Sequence, residues 1–200
     1  MTPNGSQFKH ACFISYKHPP RGASENHFYK WFPQAFCERL NEYLSSDIRA
    51  YIDSKADPGS SYPMELSEAL CNSVCMVAIL VPEYLESNWC QAEWEAMARL
   101  EEKRLGKGKV GLIIPIALKR TVGEWEHLLK RKPIDFSRVF IKGQLKQVKP
   151  TEKIIEIADI INNWVAQLNE TCENCDGFLL PVEGEVMSSQ PTFKDPNPFK

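Results

Sequence analysis

Short runs of apolar residues alternate along this chain with longer stretches in which apolar residues recur every three or four positions. The short runs are "ACFISY" (11–16), "IRAYID" (48–53), residues 74–81 within "VCMVAILVP", "VGLIIPIAL" (110–118) and "DFSRVFI" (135–141). Their length and their β-branched and aromatic content predict five buried strands. The longer stretches predict helices. The first is an amphipathic segment from about Asn26 through Leu44, which Pro33 either opens or kinks, and the second runs from Met64 to Cys71. A longer helix runs from a Ser87 or Asn88 cap to Leu105, a short one from Val122 to Leu129, and the last covers 151–168. Asp57-Pro58-Gly59 marks a turn before the second helix, and "GKGK" (106–109) stops the third.

Buried strands separated by helices imply crossover connections, and therefore a doubly wound parallel sheet with helices on both faces. In such sheets the chemistry gathers at the carboxyl ends of the strands. This organisation is expected over residues 8–170. From Thr171 to Lys200 the periodicity is lost and Pro181, Pro191, Pro196 and Pro198 accumulate, as in a linker or tail that becomes ordered only by docking.

Composition removes some functions from consideration. At 43% hydrophobic and 25% charged residues the chain is of globular type, and its net charge of -2 offers no general attraction to nucleic acid or anionic lipid. The first residues lack the basic and apolar regions of a secretory signal, and the longest apolar run, Val74 to Pro82, is too short to span a membrane. Of seven cysteines, Cys12, Cys37, Cys71, Cys75 and Cys90 lie within apolar patterns where free cysteine acts as a small hydrophobe, which fits a reducing cytoplasm. Cys172 and Cys175 form a CxxC, but no second pair completes a metal site around it.

The densest chemistry lies in "ESNWCQAEWEAM" (86–97). On a helix Trp89, Glu93, Ala96 and Leu100 share one stripe, beside a second made by Cys90, Trp94, Met97 and Ala98. Glu95 has Arg99 four residues on and is expected to form a surface pair, whereas Glu93 has Met97 there and stands on the apolar face. Partial desolvation would raise its pKa, a signature of functional carboxylates. The plainer alternative is a first-turn glutamate favoured by the helix dipole, with its head group reaching water.

Three segments taken together add a resemblance. "HACFISYKH", "YIDSKADPG" and "VPEYLESNWCQAEWEAM" resemble, in order and spacing, the motif boxes of the Toll/interleukin-1 receptor (TIR) domain, over roughly residues 8 to 168. The resemblance implies a flavodoxin-like α/β fold with five parallel strands in the order 2-1-3-4-5. It also implies the NAD-cleaving activity of bacterial and plant members, in which Glu93 matches the catalytic glutamate and Trp89 the tryptophan before it. Ser15, Tyr16 and Lys17 fall where the family's nucleotide pocket begins, and Asp53 with residues 54–62 matches the loop that gates it and mediates self-association. No arginine precedes Asp57-Pro58-Gly59 as it does in receptor-type members, a departure that counts against an adaptor contact of the receptor kind.

Each residue also has an ordinary alternative: Tyr16 a core edge, Lys17 a solvated cation, Trp89 packing, Asp53 an Asx turn, His18 a turn residue and Trp94 core. Other nucleotide folds lack their motifs here. "SYKHPPRGASE" contains no Gly-x-Gly-x-x-Gly, no P-loop is present, and the positions after strands one and three lack a phospho-receiver's aspartates.

The expectation is a cytoplasmic bacterial TIR enzyme that takes NAD as substrate, without a separate cofactor or metal. It would yield ADP-ribose or a cyclic or modified ADP-ribose signal, as in stand-alone antiphage systems such as Thoeris. Expected partners are further TIR copies and a separate effector reached through the nucleotide signal, with no nucleic acid or membrane. The alternative is a TIR adaptor that acts through assembly alone.

Overall fold

A computed structural model of the protein describes residues 8–18, 28–53, 62–118, 129–137 and 151–168, together with Cys175 and Leu180. Strands β1 (His10–Tyr16), β2 (Arg49–Ile52), β3 (Ser73–Leu80), β4 (Ile113–Ala117) and β5 (Ile134–Asp135) form one parallel sheet in the order β2-β1-β3-β4-β5. Helices α1 (Phe28–Asn41) and α4 (Thr151–Leu168) pack together on one face, and α2 (Tyr62–Cys71) and α3 (Asn88–Leu105) on the other. Right-handed crossovers dictate this division, because the chain moves outward from β1 to β2 and then reverses direction to reach β3 and β4. The architecture is therefore the doubly wound, flavodoxin-like one expected.

β3 is buried at every position, as a strand covered by helices on both sides must be. Its apolar run meets Cys12, Phe13 and Ile14 of β1 on one side and Ile113, Ile114 and Ile116 of β4 on the other. Pro115, which has no N–H to donate, lies in β4 just before the β5 ladder begins at Ile116.

Two charged side chains of α3 fasten this core. Arg104 donates to the carbonyls of Cys71, Ser73 and Val74, where α2 gives way to β3, and its guanidinium lies 4.8 Å from the Phe8 ring centroid. Glu101, 2% exposed, accepts from the backbone N–H groups of Gly111 at 2.6 Å and Leu112 at 2.7 Å and pairs with Arg131. These bonds hold its carboxyl below the usual range although burial pushes the other way.

Several sequence expectations need correction. The fifth strand starts one residue earlier than expected and is two residues long; the Asp135 carboxylate accepts from the Ser137 N–H at 2.8 Å and ends it by turning the chain, and residues 138–141 of the expected run lie outside the described residues. Pro33 lies inside α1 and does not open it. The expected helix over Val122 to Leu129 falls almost wholly outside the described residues. Among the described residues Glu95 forms no ion pair with Arg99, an exposed contact worth only tenths of a kcal/mol in any case.

Cysteine chemistry changes the most. Cys71 is not a free hydrophobe but is disulfide-bonded to Cys175, 104 residues away in sequence, and Leu180 is buried with its N–H donating to Ser67 Oγ at 2.8 Å. Two points of the C-terminal segment therefore dock along α2. Composition alone hides this bond, since sequence spacing carries no information on a pairing across 104 residues. The cysteine argument for a reducing compartment falls with it. No described helix is long and apolar enough to cross a membrane.

Closing so large a loop restricts the unfolded chain, so removing the bond should cost about 2–4 kcal/mol. Cys175→Ser is expected to unfold at correspondingly lower denaturant concentration, and the wild type should match it once reduced. Identical curves for the oxidised wild type and the variant would show that the bond contributes nothing.

Candidate active site

The winding direction reverses between β1 and β3, and folds of this class bind ligands at the carboxyl ends of the strands at such a switch point. Ser15 stands on that edge, paired in register with Ala78 of β3. Strand alternation places it on the same face as Phe13, toward α3. After β3, Pro82–Tyr84 form one turn of 3-10 helix, and Ser87 then caps α3 by accepting from the Cys90 N–H. The cap fixes where the helix begins, so Glu93 falls one turn beyond Trp89 and reaches back over the strand edge.

Three side chains from these elements meet in the interior. Ser15 Oγ donates to Glu93 Oε2 at 2.5 Å and lies 2.7 Å from the Tyr84 hydroxyl. Glu93 is only 6% exposed, and among the described residues the sole hydrogen bond to its carboxyl group is the one from Ser15. Burial pushes its pKa up to about 8; the Ser15 bond pulls downward and the Asp53 carboxylate pushes it further up. Burial likewise raises the Tyr84 phenol and the Cys90 thiol, so both stay neutral around pH 7.

A second cluster lies at the end of β2. The Tyr16 hydroxyl donates to the Asp53 carbonyl at 2.7 Å, and the His18 ring stacks on Tyr16 with centroids 4.6 Å apart. His18 Nε2 is 3.5 Å from Asp53 Oδ2, yet burial lowers the His18 pKa overall, so the imidazole is mainly neutral at pH 7.

Of the six site residues expected from sequence, Ser15 and Glu93 are thus joined directly, and Tyr16 and Asp53 are joined to each other. Lys17 is half-exposed, and its charge lowers the pKa values of both His18 and Cys90. Trp89 is half-buried against the core one turn before Glu93. Residues 54–61, most of the expected gating loop, lie outside the described residues, as do 19–27.

Sequence reasoning missed Tyr84 and undervalued His18. The available signal for Tyr84 was a hydroxyl-bearing aromatic two residues after Pro82, at the end of the longest apolar run. For His18 it was an aromatic two residues after Tyr16. Trp94, assigned to the core, is half-buried, with the Arg131 guanidinium 5.8 Å from its ring centroid. Among the described residues no three metal-binding side chains converge.

A five-stranded sheet in this order, with a polar cluster at its switch point, defines a flavodoxin-like α/β protein. The family profile of the TIR domain matches residues 28–149, more than half of the chain, and the chain belongs to that family. Among solved structures it is similar to the TIR domains of the activated Roq1 resistosome, described as directly recognizing the pathogen effector XopQ. Identity is 18% over 78% of this chain and 82% of that chain, with a TM-score of 0.42. No curated protein matches the chain.

The geometry gives the fold a pH signature. Glu93 holds its proton up to about pH 8 when folded and releases it near 4.5 in the unfolded chain. The folded state therefore binds the extra proton between those values, and stability falls as pH rises through that window, by roughly 3–5 kcal/mol at its end. Glu93→Gln, which is never charged, should melt roughly 6–20 °C above the wild type at pH 9 and close to it below pH 4.5. Equal melting temperatures at pH 9 would contradict this placement of the carboxyl.

Proposed function

We propose that the protein cleaves NAD at the bond between nicotinamide and ribose, with Glu93 as the catalytic residue. The observation that carries this reading is a carboxyl buried at the ligand-binding edge of the sheet and held by one serine hydroxyl, with an aromatic face one turn away. In this reaction the C1′–N bond breaks, its electron pair returns to the pyridine nitrogen, and nicotinamide leaves neutral. Positive charge develops on the ribose, and a carboxylate in a dry site stabilises such a charge far better than it could in water. Water then attacks C1′ and gives up a proton, yielding ADP-ribose; attack by the adenine ring would close a cyclic product instead.

The other residues take roles consistent with their positions. Trp89 offers a flat face to the nicotinamide or the ribose cation, and Lys17 meets the pyrophosphate. Asp53 and Tyr16 border the site on the β2 side, where Asp53 adds negative charge. The proposal extends to bacterial defence, in which TIR copies associate and the product reaches a separate effector as a diffusible signal.

The elevated pKa of Glu93 sets the expected pH dependence. Only the ionised carboxylate stabilises the developing cation, so kcat/KM, which reports the free enzyme, should rise with pH and level off above about pH 8. Bound NAD places the positively charged nicotinamide near Glu93 and favours ionisation, so the midpoint in kcat should lie lower. Nicotinamide release followed by chromatography provides both profiles. Glu93→Gln should lower kcat by roughly 100- to 1000-fold. Unchanged turnover in that variant would refute the assignment, and an absence of cleavage by assembled wild-type protein would favour a TIR scaffold instead.

A further inference from the structure

Tyr84 contributes a buried hydroxyl to the site that the chemistry above does not use. Its phenol is 1% exposed and lies 2.7 Å from Ser15 Oγ, which in turn lies 2.5 Å from Glu93 Oε2. Counting protons fixes the direction of this chain. Tyrosine and serine hydroxyls each carry one proton, and an ionised carboxylate can only accept. When Glu93 is ionised, the single Ser15 proton must therefore point at Oε2. The Ser15 oxygen then has only lone pairs to offer Tyr84, and the phenol must be the donor. When Glu93 is protonated, the chain can also run the other way.

The backbone keeps the phenol in place. Pro82 presets the turn, the Tyr84 N–H donates to the Val81 carbonyl at 2.8 Å, and the Tyr84 carbonyl accepts from the Ser87 N–H at 3.2 Å. The turn is thus tied at one end to β3 and at the other to the cap of α3.

We propose that Tyr84 is a positioning residue: its phenol holds the Ser15 hydroxyl with its proton aimed at Oε2 of Glu93, supporting the ionised carboxylate and leaving Oε1 for the ligand. In assigning Oε1 to the ribose, the proposal rests on the NAD-cleaving reading; the hydrogen-bond relay itself does not. Among the described residues the other groups that sense Glu93 are Asp53 after β2, Tyr51 on β2, Tyr16 on β1 and Cys90 on α3, with Lys17 acting on Cys90. Removing the Tyr84 hydroxyl leaves all of them in place.

The test is the titration of Glu93 itself, by carbon-13 NMR of protein labelled at the glutamate side-chain carboxyls, with the resonance assigned through its loss in Glu93→Gln. In Tyr84→Phe the midpoint should rise by about one pH unit, a tenfold change in the ionisation constant, as expected for losing support of a charged acceptor. Ser15→Ala should raise it at least as far, and the double variant should match Ser15→Ala alone, because Tyr84 acts through Ser15. NAD cleavage by Tyr84→Phe should fall about tenfold in kcat/KM at pH 7 and recover toward pH 9, with a smaller loss in kcat, whose midpoint lies lower. An unmoved midpoint in Tyr84→Phe, or additive shifts in the double variant, overturns the proposal. Should Tyr84→Phe not fold, Ser15→Thr, which keeps the hydroxyl, must retain the wild-type midpoint where Ser15→Ala does not. A shifted midpoint in a protein that never cleaves NAD upholds the relay and defeats the enzymatic reading; cleavage that requires Glu93 with an unmoved midpoint does the reverse.

Discussion

The pairing of β1 with β3 in the middle of the sheet is the constraint on which the remaining structure depends. The two strands are adjacent in space but separated in sequence by α1, β2 and α2, so the chain must wind outward and then return past its starting point. That return leaves α1 on one face and α3 on the other, and places the switch point at the carboxyl ends of the two strands. It also makes β3 a strand with no solvent-facing side, which explains its unbroken apolar composition. The switch point and the apolar strand are therefore two results of one topological requirement, and the candidate site lies where they meet.

Helix α3 carries an internal comparison that clarifies the chemistry. Glu93 and Glu101 both lie on this helix and both are almost fully buried. Glu101 receives two backbone N–H groups and the Arg131 guanidinium, so its charged form is well supported and its pKa is held down. Glu93 receives one serine hydroxyl and faces the negative Asp53, so burial prevails and its pKa rises. Burial alone does not separate a structural carboxylate from a reactive one; what separates them is whether the fold has supplied a counter-charge. At Glu101 the fold supplies it. At Glu93 no described residue supplies it, so the carboxyl keeps its proton to a higher pH.

The sequence revealed this difference only in part. Helical spacing showed that Glu93 lacked a basic neighbour within α3, and the apolar runs located four of the five strands to within a few residues. Those features are local, encoded by periodicities of two and of three to four residues. Glu101 gave no warning, because its partners Gly111, Leu112 and Arg131 come from beyond the end of its own helix. Tyr84 was missed for the same reason, since its contact with Ser15 spans 69 residues. The disulfide between Cys71 and Cys175 is the extreme case. Local pattern finds elements and the unusual residue within an element; the partners that decide what that residue does are brought in by topology.

The remaining element is the short turn between β3 and α3, which has to do two things in few residues. It must leave the sheet edge, and it must start a helix in the one rotational setting that turns Glu93 toward Ser15. A helix advances about 100° per residue, so an α3 begun one residue later would carry Glu93 away from Ser15 and bring a neighbour into its place. Pro82, the Tyr84 N–H on Val81 and the Ser87 cap fix that setting before the helix starts. The Tyr84 phenol belongs to the same turn and touches Ser15, so the backbone that sets the helix phase also carries the hydroxyl at the far end of the Ser15–Glu93 contact. Helix phase and carboxylate environment are consequently coupled through a single turn. A change there would be felt at Glu93 in both position and charge, whereas a change in the surface residues of α3 would be felt in neither.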